Sequence, residues 1–575
     1  MVTAITCYGG VGEIGGNKIL LEDGQHRLLL DFGKDFGRYG TFFDGVFIKE
    51  RPTRGLLDPL SLGLIPPLRG LLRDDLVPAL READLQTETL PPSERQKKER
   101  VRSDLRPQAV ESFWEAWKRR YPRLYRDLRR TNAAPVDLIL LSHAHQDHIS
   151  DLAYVSPDIP AGSTAVTAFI SKVLLDVAGG GDSGAPFSNP RIFNKSGVLI
   201  ADKDQALVAR PWHFLDRAPA GDPNGDPLRT ARSFWAQAGT KSLSPRSYEG
   251  PIGAGVRFWP VDHSIPGATG FAVETAAGWV AYTGDIRFHG RSGENTRRFG
   301  EGLASLRPKA LLCEGTRLTE PNRTSEQEVG ENCLRAVQEA QGKLVVADFA
   351  PRNVERLVVF ASVAAQTGRR LLVQPRDAYL LRAIALADPQ LGDAMEDEHV
   401  GLYADPKAQI RAWEEAVRGR YRERTVSPLE VKDDPGAYIL AFSLTEMSDM
   451  VDIEYLMNGR IGGIYVFSNS QAYDEEQKVD LVRLWSWTQY LGLKMVGLVP
   501  SQKGAGGEVR EVIPEPGYHA SGHAGGDELV EFVRTVNPET LIPIHTEAAG
   551  KWLGLLQGSG IKVCLPEMGS PISLD

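Results

Sequence analysis

The stretch Val136-Asp137-Leu138-Ile139-Leu140-Leu141-Ser142-His143-Ala144-His145-Gln146-Asp147-His148 decides how the rest of the chain is read. Its first half is a short apolar run of the kind a buried strand needs. Its second half sets four ligand-type side chains into six positions directly after that strand. A turn at a strand end splays alternate side chains toward one point. Imidazole nitrogen and carboxylate oxygen are the donors that borderline and hard divalent ions take. Two histidines one residue apart, followed by an Asp-His pair, suit two adjacent ions better than one. The bland alternative is a polar turn whose histidines only hydrogen-bond one another, and four such residues in six places argue against it.

Upstream, Thr3–Tyr8, Lys18–Leu21 and Arg27–Asp31 look like successive short strands, the first two joined by the glycine-rich Gly9–Gly16. Residues 34–135 break this pattern. They are proline-rich early and strongly basic later, with twelve Lys/Arg against five Asp/Glu over 97–130, and are expected to form a partly helical insertion between two strands of one sheet. Downstream, Ala178–Pro190 and Ala218–Gly255 read as loops. Strand patterns return at Gly255–Val261, Gly270–Thr275 and Gly278–Thr283. From about Lys309 strands and helices alternate: Leu344–Ala347 precedes a helix over Asn353–Gln366, and Gly463–Phe467 precedes one over Asp474–Tyr490. That rhythm predicts a parallel sheet with covering helices. After Pro516 come a Gly/His loop, a helix at Asp527–Val536 and a strand Thr540–Ile544 that ends on His545.

At 575 residues the chain is too long for one ordinary domain. With 42% hydrophobic and 25% charged residues it has a globular composition. No run of 18 apolar residues occurs, so no membrane span is expected. Cys7, Cys313, Cys333 and Cys564 are scattered without a CxxC pair, which points to reduced thiols and a cytoplasmic protein. The net charge of -9 gives no global attraction for nucleic acid, so a polyanionic partner must be held by local basic regions or metal ions.

The HxHxDH pattern resembles the signature of the metallo-β-lactamase superfamily, which implies an α/β fold: an αβ/βα sandwich with metals at one edge. The later strand ends supply matching residues. Val261-Asp262-His263-Ser264 resembles the family's third motif, with His263 as ligand, and Tyr282-Thr283-Gly284-Asp285 its fourth, with Asp285 as bridging carboxylate. In Leu30-Asp31-Phe32-Gly33, Asp31 would brace the histidine loop without touching metal. Further matches resemble the β-CASP nucleases, in which a second domain of parallel sheet and helices is inserted and substrate lies between the two. These are Leu312-Cys313-Glu314-Gly315-Thr316, Asp348–Asn353, His519-Ala520-Ser521-Gly522-His523-Ala524 and Ile542-Pro543-Ile544-His545-Thr546-Glu547. The order of all these motifs is most similar to ribonuclease J-type enzymes.

The resemblance implies domains at 1–310 (with the basic insertion of about 34–135), 311–515 and 516–575, the first and last together forming the sandwich. It departs from the pattern at the insertion, at Thr546 where glycine is usual, and after His545. Only thirty residues follow there, so the C-terminal domain typical of ribonuclease J is expected to be missing.

By ligand type and resemblance, His143, His145 and His263 would hold one ion, Asp147, His148 and His545 the other, with Asp285 between them. Two divalent ions, zinc or manganese, are implied. Paired ions suit phosphodiester hydrolysis. His523 would contact the scissile phosphate and assist the leaving 3′-oxygen, with Glu314 orienting it. His519, Ser521, Ser468, Asn469 and Ser470 are candidate phosphate ligands. The implied activity is a ribonuclease of RNA processing or decay, working from the 5′ end with endonucleolytic cuts as a further mode. The competing roles are a DNA-acting β-CASP nuclease and a non-catalytic nucleic-acid-binding subunit; RNA is the expected partner, with single-stranded DNA and a homodimer as further ones. A small-molecule metallohydrolase would lack the inserted βαβ unit. In the insertion, Trp114, Trp117, Tyr121, Leu124 and Leu128 recur at helical spacing. Packing on the sandwich, an RNA-guiding arm and a dimer contact all remain open for this stripe.

Overall fold

The computed structural model of the chain describes residues 2–44, 47–68, 70–76, 136–178, 185–193, 199–216, 234–235, 237–238, 241–242, 246–247, 255–321, 324–350, 352–472, 475–504 and 506–575. Two sheets stack face to face. The first runs in the order Arg246–Ser247, Pro211–Phe214, Ala161–Ser163, Leu138–Leu140, His26–Phe32, Lys18–Asp23, Thr3–Gly9, Pro571–Ser573. The second runs Val256–Pro260, Thr269–Thr275, Gly278–Tyr282, Ala310–Glu314, Thr540–Ile544, Lys562–Val563.

The period of two along each strand sorts apolar side chains between two cores. Leu28 and Leu30 face the second sheet, where they meet Phe271, Val280, Leu312 and Ile542, whereas Leu29 turns outward into a different core. Such strands are apolar on both faces because helices cover the outside. Gly293–Leu306 and Gly526–Val536 lie on the second sheet through Phe299, Leu303, Leu529 and Phe532. Ala165–Ala178 lies on the first through Phe169, Ile170 and Val173. This is the expected αβ/βα sandwich.

The chain leaves the second sheet after Glu314 and rejoins it at Thr540, and these two strands are parallel neighbours. Strand Ala310–Glu314, which spans the expected boundary at 310/311, therefore pairs within the sandwich. Between them lies a seven-stranded sheet in the order Thr425–Val426, Val400–Tyr403, Arg370–Val373, Tyr438–Ala441, Val345–Asp348, Ile464–Phe467, Lys494–Val496. Every pairing in it is parallel, with helices on both faces as a parallel sheet requires. Helix Pro375–Ala387 packs on Ala165–Ala178 and joins this unit to the sandwich. The expected helices over 353–366 and 474–490 are present as Val354–Gln366 and Glu475–Leu491.

Within the insertion, the described part is partly helical, with Phe36–Phe42 and Leu57–Ser61. Leu56, Ile65, Leu72 and Leu76 close over Leu199 in a small core of their own. The stripe from Trp114 to Leu128 lies outside the described residues. No helix among the described residues is long and apolar enough to cross a membrane.

Candidate metal centre

The histidine motif sits where the sandwich strands end. After Leu138–Leu140 the chain makes a turn and one short helix, Gln146–Ile149, with His145 at its N-cap. Two glycines let the neighbouring loops approach this turn. A Cβ on Gly33 would stand 1.7 Å from the Asp147 carbonyl oxygen. A Cβ on Gly15, whose φ is +80°, would stand 2.8 Å from Asp147 Cβ. The backbone of this glycine-rich loop also grips the turn, Gly16 N–H donating to Asp147 O at 3.0 Å. A buried ion pair, Lys18 Nζ to Asp151 Oδ2 at 2.9 Å, ties strand Lys18–Asp23 to the segment after the motif.

His143, His145, His263 and Asp285 bring their ligand atoms together in one cluster, and Asp147, His148, Asp285 and His545 in a second. Asp285 belongs to both. His145 Nδ1 lies 3.1 Å from His143 Nε2 and 3.0 Å from His263 Nε2. His143 Nε2 lies 3.5 Å from Asp285 Oδ2. In the second cluster His148 Nε2 is 3.1 Å from Asp285 Oδ2 and 3.6 Å from Asp147 Oδ2. His545 Nε2 is 3.3 Å from Asp147 Oδ2 and 3.7 Å from Asp285 Oδ1. A tetrahedral ion with bonds of about 2.1 Å spaces its ligand atoms about 3.4 Å apart, so both clusters have the span of a metal cage.

Two further observations test the fit. Three imidazole nitrogens converge at His145 Nδ1, and neutral rings cannot satisfy three mutually facing nitrogens with one proton. In addition, His148 Nε2 and Asp285 Oδ1 are buried without a hydrogen bond. A divalent ion in each cluster removes both deficits, and the nitrogen–oxygen donor set suits zinc or manganese. Charge follows the same division. Burial and neighbouring rings push His143 and His145 well below the usual histidine range, and His263 falls to about 4. These three are neutral, as ligation requires. Asp147 and Asp285 are held below the carboxylate range, their burial overcome by His148 and His545.

Four of the five histidines have their other ring nitrogen held. His148 Nδ1 faces Asp31 Oδ2 at 2.8 Å, His143 Nδ1 faces Ser142 Oγ at 3.0 Å, His263 Nδ1 donates to Gly522 O at 2.6 Å, and His545 Nδ1 faces Thr316 Oγ1 at 2.9 Å. Such contacts fix ring orientation before an ion arrives. Asp31 is the hub of one such set. Its carboxylate also accepts from Ser142 N–H, Ser142 Oγ–H and Tyr282 O–H. Asp31 and His545 both hold positive φ, +56° and +50°, an uncommon backbone that the surrounding contacts impose. Ser142, Tyr282 and Thr316 were not assigned roles from the sequence. Ser142 precedes the histidine motif, and Tyr282 and Thr316 lie inside quoted motifs, but nothing local shows that Thr316 reaches His545 across 229 residues. Thr546, which replaces the usual glycine, finds room because Gly315 beside it has no side chain; a Cβ there would meet Thr546 Cβ at 3.1 Å.

A third grouping joins Asp285, Glu314 and His523. His523 Nδ1 is 3.0 Å from Glu314 Oε2 and 4.0 Å from Asp285 Oδ2. Burial disfavours its protonation, but the two carboxylates overcome this and raise His523 to about 9. Its loop is clamped from both units. Arg287 Nη1 and His289 Nε2 donate to Ser521 O at 3.2 and 2.9 Å. Arg287 also pairs with Asp262 and Glu326, and Arg356 pairs with Glu326 through three contacts of 2.9–3.0 Å.

The remaining expected phosphate ligands divide. Ser521 Oγ, half-buried, accepts from His523 N–H at 3.1 Å. His519 is half-buried, with Nδ1 unpartnered among the described residues. Ser468 does not fit the expected role. It is 1% exposed, donates to Tyr518 O at 2.6 Å and accepts from Arg356, so its hydroxyl is consumed in holding the loop. Asn469 is likewise tied to Asp348 at 3.2 Å and to the Ser470 N–H at 2.9 Å.

Residues 517–551, which carry His519, Ser521, His523 and His545, match the family described as the Zn-dependent metallo-hydrolase RNA specificity domain. The chain is ribonuclease J-like. It is 25% identical over 300 residues to "Ribonuclease J" of Corynebacterium glutamicum, covering 51% of this chain and 36% of that protein. To that of Mycolicibacterium smegmatis it is 25% identical over 310 residues, covering 51% and 46%. "Ribonuclease J 1" of Streptococcus pyogenes is 24% identical over 308 residues, again 51% and 46%. The chain thus spans less than half the length of these curated relatives. A solved structure of a protein of unknown function from Enterococcus faecalis V583 shares this fold, with a TM-score of 0.58 and 18% identity over 100% of both chains.

Proposed function

We propose that this protein is a two-metal ribonuclease that hydrolyses RNA phosphodiester bonds. The observation that carries the reading is Asp285, whose Oδ2 lies 3.5 Å from His143 Nε2 of one cluster and 3.1 Å from His148 Nε2 of the other, while His523 Nδ1 stands 4.0 Å away. When bound, two divalent ions supply activated water at neutral pH and neutralise charge developing on phosphate oxygens. His143, His145 and His263 would hold one, and Asp147, His148 and His545 the other, with Asp285 common to both. With two such ions the carboxylates of Asp147 and Asp285 leave an excess of positive charge, which favours a polyanionic substrate.

Protonated His523 donates its Nδ1–H to Glu314 and has Nε2–H left for the departing 3′-oxygen. That is a general acid held at neutral pH by its carboxylate partner. Ser521 and His519, on the same loop, are placed to contact phosphate oxygens. RNA rather than DNA is supported by the RNA specificity family matched at 517–551 and by the ribonuclease J relatives. From the same likeness we infer attack from the 5′ end with endonucleolytic cuts as a second mode. We also infer a division into a sandwich formed by 1–314 and the residues after about 516, with a β-CASP unit between. The four free cysteines, three of them buried, support a cytoplasmic setting.

The test is hydrolysis of end-labelled RNA and single-stranded DNA bearing a 5′ monophosphate, triphosphate or hydroxyl, with manganese, zinc or magnesium. Mononucleotide release from monophosphorylated RNA is expected. Cleavage of DNA alone, or activity retained by a His145→Ala/Asp147→Ala double variant, would sink the reading.

A further inference from the structure

The segment Asp285–Gly290 carries the bridging carboxylate at its start and His289 near its end, and the loop that holds His523 is bonded to it. Four consecutive residues of that loop are each held. Ser521 O accepts from Arg287 Nη1 at 3.2 Å and from His289 Nε2 at 2.9 Å. Gly522 O accepts from His263 Nδ1 at 2.6 Å. His523 N–H donates to Ser521 Oγ at 3.1 Å, and Ala524 N–H donates to Ile286 O at 2.7 Å. Both lone pairs of the Ser521 carbonyl are therefore in use.

The two donors differ in what else they do. Arg287 is committed to carboxylates, Asp262 at Nε, Glu326 at Nη1 and Glu355 at Nη2. The His289 side chain is 5% exposed and hydrogen-bonds to Ser521 O and nothing else among the described residues. Its Nδ1 stands 3.6 Å from Glu528 Oε2, too far for a hydrogen bond. The Ser521 acceptor fixes a proton on Nε2. The carbonyl it holds belongs to the Ser521–Gly522 peptide, and a peptide before glycine turns over readily because glycine accepts φ of either sign. Gly522 is needed for closeness, since a Cβ there would lie 2.9 Å from Ser264 Oγ and 3.1 Å from His263 Cε1. The loop thus depends on outside donors for the orientation that glycine leaves free. His523 is the next residue, and its Nδ1 lies 3.0 Å from Glu314 Oε2 and 4.0 Å from Asp285 Oδ2.

We propose that His289 is a positioning residue: its Nε2–H holds the Ser521–Gly522 peptide in one orientation and so sets the His523 ring for proton delivery to the leaving 3′-oxygen. This rests on the ribonuclease reading above, which gives His523 that role. An acid must stand within hydrogen-bond reach of the atom it protonates. A misplacement of about 1 Å costs about 100-fold in rate.

The test compares H289Q, H289N and H289F with the parent chain, each loaded with manganese. The amide nitrogen of glutamine reaches the place of imidazole Nε2, that of asparagine stops at the place of Nδ1, and phenylalanine keeps a ring without a donor. Two substrates are used. A 5′-monophosphorylated oligoribonucleotide has a leaving alkoxide that needs a proton, whereas bis(p-nitrophenyl) phosphate has a nitrophenolate that leaves without one. For H289N and H289F the expected result is kcat on RNA lower by about 10- to 100-fold. KM, metal content, melting temperature and hydrolysis of bis(p-nitrophenyl) phosphate should match the parent chain. H289Q should recover most of the lost kcat.

Parental kcat on RNA in H289N and H289F overturns the proposal, as does H289Q as slow as H289F or an equal loss on both substrates. A loss that comes with lower melting temperature or metal content marks a structural brace and overturns it too, and failure of both H289N and H289F to fold has the same meaning. If the parent chain leaves either substrate uncut, crystal structures of the parent and H289F decide the positioning. Ser521 C=O turned away from Arg287, or His523 Nδ1 parted from Glu314, supports it, and the parental loop in H289F overturns it. No cleavage of RNA by the parent chain sinks the ribonuclease reading separately.

Discussion

His523 aims its Nδ1 at Glu314 across 209 residues of chain, 3.0 Å from Oε2 and 3.2 Å from Oε1. Glu314 is fully buried and also accepts the Ile286 N–H at 2.7 Å, so its carboxylate is fixed before His523 arrives. Burial opposes charge on both groups, yet each charge sustains the other: His523 rises to about 9 and Glu314 falls below its ordinary value.

The pair sets a pH dependence. Activity that uses His523 as an acid is lost as pH rises through about 9, and earlier with ions bound, because they cancel the share contributed by Asp285. Glu314→Gln removes the supporting charge. It should cut kcat about 100-fold or more and move the alkaline limb of the kcat profile toward lower pH, with KM and metal content little changed. An alkaline limb that stays in place in this variant contradicts the assignment. In ion-free protein the same pair shapes stability. The His523 share is complete below 6.5 and disappears as pH rises to about 9. The Glu314 share is present above 4.5 and lost as pH falls through its depressed value. Thermal melting in chelator, scanned over pH, reads both limbs.

Asp31 touches no cage position yet organises one. With His148 Nδ1, Ser142 and Tyr282 all on its carboxylate, Asp31→Ala should weaken metal affinity about 10- to 100-fold. Competition with a chromophoric chelator measures it. Affinity equal to that of the parent chain would show that the bracing contacts do nothing for the ion.

Backbone closeness gives a sharper contrast. Gly33→Ala drives a Cβ to 1.7 Å from the Asp147 carbonyl oxygen, whereas Gly12→Ala, at φ +67°, meets nothing within 4 Å. The first should lose about 1–3 kcal/mol by steric displacement and weaken the ion held by Asp147. The second pays only for its left-handed backbone, about 1–2 kcal/mol, and keeps its metal. Denaturant melts and metal analysis distinguish the two, and equal metal loss in both would remove the packing explanation.

The Arg287 network makes a prediction about the joint between units. Arg287→Met leaves buried Asp262 without its guanidinium, while Glu326 keeps Arg356, and costs about 3–5 kcal/mol. It also removes one donor from Ser521 O, so kcat should fall with the stability. Arg287→Met combined with Asp262→Asn should recover part of the stability, because the buried carboxylate left without a guanidinium is then neutral. A denaturant series on the three proteins tests this by the linear extrapolation of unfolding free energy.

The cage was legible in the sequence because its residues sit at strand ends inside short motifs. His143 to His148 are contiguous, and His263, Asp285 and His545 each close a local strand pattern. The braces were not legible, since Thr316 meets His545 and Gly522 meets His263 only through the fold. Ser468 misled for a related reason. A serine at a strand end next to a cleft looks available, and only the structure reveals that Arg356 and Tyr518 occupy it. Helix Ala165–Ala178 escaped notice because it is buried on most sides, between the first sheet and helix Pro375–Ala387, so it has no polar stripe to mark its period.

The central claim is that two ions share Asp285 and act together on RNA. Its most direct test is a titration of chelator-stripped protein with manganese or zinc, following bound metal and RNA cleavage in the same samples. The account predicts two equivalents bound, cleavage that appears with the second, and Asp285→Ala that binds fewer than two and is inactive. Full cleavage at one equivalent, or an Asp285→Ala protein that binds two ions and cleaves normally, would contradict it.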